Sequence, residues 1–273
     1  MTTATASTTS PARKNRFWAW LVYGIAAFYF LFPLIATFYW SLRAEKDVIG
    51  FEAYRRLFVD ANFLPSFTES IVNAVAAIFI SLLIIVPTAY WVTLRLPKLR
   101  PVVEFITLLP FVIPAVVLVF GLIRLYGRPP LLWTATYESS RVLLICVYAA
   151  LSFPYMFRAV DNGLRAMDVR ALTEAAQSLG ASWPTILLQV IFPNLRVSLL
   201  SGALLTFAIV IGELTIALFM AQHTLGPYMA NLTRAKVYEP SAMAIVAFAI
   251  TWAAMGLIQL IGRGQTGQVV AGH

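Results

Sequence analysis

The sequence predicts an all-α polytopic membrane protein with six transmembrane helices and a cytoplasmic helical loop between spans 4 and 5. Three observations carry this expectation. The 273 residues are 60% hydrophobic and 12% charged, with a mean hydropathy of +0.80, outside the usual range of soluble domains. Apolar runs of about twenty residues, the length a helix needs to cross a bilayer, recur along nearly the whole chain. Between two of these runs, residues 159–196 are partly polar but keep a helical rhythm.

The first element is a polar tail, MTTATASTTSPARKNR, ending in the basic cluster Arg13, Lys14 and Arg16. It has the look of a signal peptide's n-region. The apolar run behind it, Phe17 to Ser41, is about 25 residues long, whereas an h-region has roughly 7 to 15. An uncleaved first span is therefore expected behind a cytoplasmic tail of residues 1–16. Hydropathy places the other spans at 71–94, 102–126, 142–158, 197–221 and 240–262, closing a membrane domain of residues 17–262 before a cytoplasmic tail at 263–273. The fourth run is the shortest. Pro33, Pro87, Pro110, Pro114 and Pro154 lie inside spans and predict kinks, since neighbouring groups in a membrane protein re-satisfy the freed carbonyls.

With the amino terminus inside, eleven of the 20 Lys and Arg residues fall on the cytoplasmic side, a slight positive-inside bias offset by Arg43, Lys46, Arg55 and Arg56 in the first outer loop. The net charge of +8 is spread over span ends and short loops, which suits anchoring at lipid headgroups and does not form the stripe a nucleic-acid partner requires. In that outer loop, FEAYRRLF sets Phe51, Tyr54, Leu57 and Phe58 opposite Glu52, Arg55 and Arg56. A short interfacial helix is expected, either a membrane-surface element or a docking surface for an external protein. Asn73 and Glu104 sit near span ends, where headgroups or water would meet them. Cys146 is the single cysteine and has no intrachain partner.

Within residues 159–196, Asp168 is placed to cap a helix whose apolar stripe is Leu172, Ala175, Ala176 and Leu179, and Gly180 is placed to end it in a left-handed turn. Ser182 then caps a second helix, with Pro184 in its first turn and an apolar face of Ile186, Leu187, Val190 and Ile191 up to Pro193. Small residues (Ala171, Ala175, Ala176, Ala181) leave the backbone accessible around the single charge of Glu174. Such a surface fits a partner's groove, with the carboxylate fixing register; an interfacial linker packed on its own spans is the other reading.

In span five, LLSGALLTFAIVIGELTIALFMA puts Glu213 deep in an apolar run beside Gly212. A central carboxylate costs roughly 2.5 to 3.5 kcal/mol to insert, so it should avoid lipid, either on a translocation path or as a hydrogen-bonded structural carboxyl. Ser198, Ser201, Gly202 and Ala203 offer a small-residue face for helix packing. The 14 glycines open no G-x-x-x-x-G-K-[ST] loop, so ATP binding is not expected in this chain. No nucleophile, base and orienter constellation is visible, and His223 and His273 are the only histidines, so neither bond chemistry nor a His/Cys metal site is expected.

Glu174, Ala175, Ala176, three residues, Gly180, then Val190, one residue, Phe192 and Pro193 resemble the EAA loop of permease subunits of binding-protein-dependent type I ABC importers. The family pattern prefers Ile and Leu where this chain has Val190 and Phe192. The resemblance extends from FEAYRRLF to the sixth span. It implies an inner-membrane, multi-pass bacterial subunit that pairs with a second permease subunit, two ATPase subunits that hold ATP and Mg, and an external solute-binding protein. It also implies that Glu174, Ala175, Ala176, Leu179, Gly180 and Ala181 form the coupling helix seated in the ATPase, with Glu174 meeting a basic residue and Gly180 making the bend. Within the family the six-span layout and the span-five carboxylate look most like the spermidine/putrescine branch, with aminoalkylphosphonate and ferric-ion permeases next. An ion-coupled secondary transporter and a non-transporting scaffold are the alternatives from other classes.

Overall fold

The computed structural model describes residues 12–43 and 49–263, and the described residues form helices and turns without a strand. The expected terminal tails and Lys46 lie largely outside the described residues. In chain order the helices are α1 (Ala12–Ser41), α2 (Glu52–Val59), α3 (Phe63–Leu94), α4 (Arg100–Val112), α5 (Ala115–Tyr126), α6 (Tyr137–Arg165), α7 (Val169–Ser178), α8 (Trp183–Thr185), α9 (Phe192–Asn194), α10 (Arg196–Gly212), α11 (Thr215–Phe219), α12 (Leu225–Ala235) and α13 (Glu239–Arg263). A 3-10 turn at Pro97–Leu99 leads into α4, and a π-helical turn at Ile186–Ile191 joins α8 to α9.

Trp18–Ser41, Phe63–Leu94 and Tyr137–Arg165 are each long and apolar enough to cross a bilayer, and two bent pairs raise the number to five if each pair is one span. The helix α13 covers the sixth expected span, its stretch Glu239–Ala254 being apolar but shorter. The helix α1 exposes Trp18, Tyr23, Phe28, Tyr29 and Phe30 among others and packs chiefly on α13. Apolar surface on that scale is stable against lipid, not water.

The centre of the bundle is α6, packed against α3, α10 and α4. Small residues let the backbones approach. Ala74, Ala77 and Ser81 of α3 face Ala149 and Ser152 of α6, and the Ser81 and Ser152 hydroxyls meet at 2.6 Å, the kind of interhelical glue that replaces hydrophobic drive in lipid. From α10, Gly202 sits on Met156 and Ala159, and Ser198 on Gly163. The expected small-residue face therefore works inside the bundle, although Ser201 points outward.

Four sequence expectations change. The fourth span is a 29-residue helix, longer than the apolar run suggested. Thr136 starts it with a capping box to Ser139, and polar residues such as Ser140 and Asp161 are buried within it. The second span starts at Phe63, so Asn73 lies three turns inside α3, fully buried and accepting a 3.0 Å bond from Arg141 Nε, away from headgroups. Pro114 breaks the third span instead of kinking it: Ile113 is extended (ψ 124°), as a residue before proline prefers, and α4 meets α5 at 94°. The fifth span stops at Gly212, where Glu213 is extended.

Candidate functional site

The helix α7 begins where Asp168 accepts a bond from the Ala171 amide at 3.0 Å, a cap worth about 1 kcal/mol. It ends in a two-bond left-handed cap. Gly180, at φ +80°, donates its amide to Gln177 at 2.9 Å, and Ala181 donates to Ala176 at 3.0 Å, the pairing that satisfies the last carbonyls of a helix. After the bend, Pro184 occupies the first turn of α8 as expected, while the Ser182 hydroxyl bonds Thr185 Oγ1 at 2.8 Å and no backbone amide. The chain then widens into the π-turn, which buries Ile186 and Ile191, five residues apart, on one side, as i→i+5 geometry allows.

The buried side of α7 differs from the expected stripe. Val169 and Thr173 are buried, Leu172 and Ala176 half-buried, whereas Ala171, Glu174, Ala175 and Ser178 are exposed and Leu179 is 89% exposed. Ala176 and Ala181 pack inward on the cluster that holds Tyr90, Met156, Val160, Ile186 and Leu195. Of the six residues singled out from the sequence, Glu174, Ala175, Leu179 and Gly180 thus lie on one outward face, and Ala176 and Ala181 anchor it. The shift arises because Thr173 joins the core through its hydroxyl, 2.9 Å from Tyr90 OH; the inward set Val169, Leu172, Thr173 and Ala176 lies three positions before the expected stripe. Glu174 is 68% exposed and lies 3.4 Å from Arg170 Nε one turn earlier.

Two further contacts tie this element to the long helices. Trp183 packs on Trp91 with centroids 4.8 Å apart and the rings tilted by 38°, and Arg95 lies over the Trp183 ring at 5.6 Å, so the start of α8 is clamped to the end of α3. Nearby, Asp161 of α6 accepts bonds from Arg165, at 3.0 Å, and from Arg100 of α4, while Arg100 also pairs with Glu104 at 2.9 Å. The Asp161 and Arg165 pair at i,i+4 was legible in the sequence; the arrival of Arg100 required the fold. Glu104 accordingly takes part in an ion-pair network instead of standing alone at a span end.

Glu213 is half-buried at the break after α10. Its carboxylate accepts the Ile216 amide at 2.7 Å, the Ala217 amide at 3.1 Å and the Tyr148 hydroxyl at 3.0 Å. It therefore caps α11, satisfying amide groups that a helix start leaves free. Gly226 in the first turn of α12 backs directly on the Glu213 carbonyl, where a Cβ would collide.

The chain's relatives fit this arrangement. Residues 85–263 match the family described as the binding-protein-dependent transport system inner membrane component. The chain belongs to that family. The matched residues of this inner membrane component run from the last third of α3 through α13 and include the whole α7 bend. A probable molybdenum ABC transporter permease protein of Haloferax volcanii is 30% identical over 162 residues, 59% of this chain and 60% of that protein. The spermidine/putrescine transport system permease protein PotB of Escherichia coli is 28% identical over 174 residues, 59% of this chain and 62% of that protein. The chain thus spans about three fifths of the length of these relatives. A crystal structure of a bacterial alginate ABC transporter, in complex with an alginate pentasaccharide-bound periplasmic protein, contains a chain of the same fold, with a TM-score of 0.70 at 16% identity over 93% of this chain and 98% of that one.

Proposed function

We propose that this inner membrane component is the permease subunit of an ATP-driven importer, passing a small solute delivered by an external binding protein across a bacterial inner membrane by alternating access. The outward face of α7 carries this reading. A narrow surface of small residues around one carboxylate, on a helix fixed from behind by Val169 and the Thr173–Tyr90 bond, has the form of a helix laid in a partner's groove. The partner is an ATPase subunit. Glu174 exchanges its exposed, weak pairing with Arg170 for a basic residue of the ATPase, and motion of that subunit reaches α3 through Tyr90 and the Trp91–Trp183 contact. Two such ATPases closing on ATP and Mg would draw the α7 helices of this chain and a second permease subunit together and open the two bundles at the opposite face. The bend and both termini lie in the cytoplasm in this reading.

For the solute we propose a polyamine or similar organic cation. The PotB likeness supports it, as does a carboxylate, Glu213, at a break in the membrane segment, where it lies on or beside the solute path. Relatives named for molybdenum and for alginate make an anion the competing class. Reconstitution with the ATPase tests the main reading: Glu174→Gln should leave membrane insertion intact and uncouple hydrolysis from uptake. Unchanged coupling would overturn it.

A further inference from the structure

The short helix α2 carries apolar surface on two opposite sides. On one side Ala53 and Leu57 are buried, Ala53 against Ala242 and Leu57 in the cluster that holds Met243, so this side is packed on α13. On the other side Phe51, Arg55, Phe58 and Val59 follow at i, i+4, i+7 and i+8. The three apolar members of that set are 69%, 62% and 77% exposed, and Leu64 in the first turn of α3 is exposed as well. A surface helix that meets water turns its polar side outward. An outward side built from two phenylalanines and a valine requires a second apolar medium.

The neighbours of α2 fix its depth. It connects α1 to α3, both long and apolar enough to cross a bilayer. The Ser41 and Tyr54 hydroxyls meet at 2.7 Å where α1 ends, and Phe58 lies edge-on to Phe63, the first residue of α3, with centroids 5.2 Å apart. The helix α2 is therefore level with two span ends. It also lies across the membrane from the α7 bend, because α3 runs 32 residues, about 48 Å at the helical rise, and reaches α7 and α8 only in its last turns, through Tyr90 and Trp91.

At that level the covering medium is either lipid or a docked protein, and three observations favour lipid. The patch continues the exposed apolar surface of α1, whose last turn shows Phe38, Tyr39 and Trp40. The rings gathered there, Tyr39, Tyr54 and Trp40 packed on Tyr238 at 5.6 Å, have the composition of a membrane-interface belt, apolar bodies with a polar tip. The charges of α2 are matched within the chain. Arg55 donates to both Glu52 carboxylate oxygens, at 2.8 and 2.7 Å, while Arg56 lies 3.2 Å from Glu52 and 3.8 Å from Glu239. Two carboxylates thus balance two guanidiniums, and the face has no net charge with which to steer an external protein.

We propose that α2 is a lipid anchor, lying in the headgroup layer of the leaflet opposite the α7 bend with Phe51, Phe58 and Val59 at the acyl boundary. Its hold on the membrane is apolar and independent of anionic lipid, because Glu52 and Glu239 neutralise its arginines. Anchoring of this kind needs neither an ATPase nor a solute, so it stands or falls apart from the importer reading.

The test is spin labelling of Val59→Cys and, separately, Phe51→Cys, in the full chain with Cys146→Ser, reconstituted in phosphatidylcholine vesicles. Power-saturation EPR compares collision with oxygen, which concentrates in lipid, and with a water-soluble nickel chelate. Oxygen should dominate at both positions, with the labels about 5–10 Å into the headgroup and acyl boundary. Replacing part of the phosphatidylcholine with phosphatidylglycerol should leave that depth unchanged. Nickel collision exceeding oxygen at either position would overturn the anchor. Protection from both reagents, the sign of a protein covering this face, would overturn it too. A depth that shifts with phosphatidylglycerol would overturn the charge-independent hold.

Discussion

The bond between Tyr90 and Thr173 links α7 directly to the long helix α3, and it makes a quantitative prediction. Both side chains are almost fully buried, at 1% and 2% exposure, and their hydroxyls lie 2.9 Å apart. Removing either hydroxyl alone, by Tyr90→Phe or Thr173→Val, strands the other in an apolar cluster and should cost about 1 to 3 kcal/mol. Removing both leaves no orphan, so the double variant should lose less than the sum of the singles, the non-additivity expected of groups in contact. Hydrogen exchange at the α7 amides, from Leu172 to Ser178, reads the local opening free energy. Each single substitution should speed exchange roughly 5- to 150-fold, the ratio that about 1–3 kcal/mol represents at about 1.4 kcal/mol per tenfold. Exchange changed less than twofold by both singles, or a double variant equal to their sum, would refute the claim that this bond holds α7 to α3.

Gly180 and Ala221 form a complementary pair, since both end a helix at positive φ but only one is a glycine. Gly180→Ala should destabilise the bend by about 1–2 kcal/mol although a Cβ there meets no neighbour within 4 Å, and Ala221→Gly should stabilise the α11–α12 turn by about 1 kcal/mol; thermal melts in detergent check both. Glu213→Ala should cost about 0.5–2 kcal/mol through loss of the α11 cap, whereas Glu213→Gln, which keeps an acceptor, should cost less while changing solute uptake more than complex assembly. Uptake by Glu213→Gln at the wild-type rate would leave the carboxylate a structural cap only.

The parts of the fold legible in the sequence were those governed by local backbone rules. Asp168, Gly180 and Pro184 each act where capping and turn chemistry put them, because a helix end is settled by a few neighbouring residues. What escaped depends on partners distant in sequence. Thr173 gives no local signal because its burial is explained only by Tyr90, 83 residues away. Asn73 reads as a headgroup contact because hydropathy cannot see that α3 begins at Phe63 and that Arg141 waits inside the bundle. Glu213 reads as mid-helix because an apolar window is blind to a break of two residues, although an acid three positions before an apolar run is the pattern of a cap. Pro114 differs from Pro33, Pro87 and Pro154 in consequence, since those three remain inside continuous helices.

The central claim is that the outward face of α7 stands in the cytoplasm against an ATPase. It is tested most directly by labelling Leu179→Cys, at the most exposed position of that face, in a Cys146→Ser background, because Cys146 is itself exposed. A membrane-impermeant maleimide should react in inside-out vesicles, be excluded in intact cells, and lose access when the ATPase is bound. Labelling from outside intact cells would contradict the account.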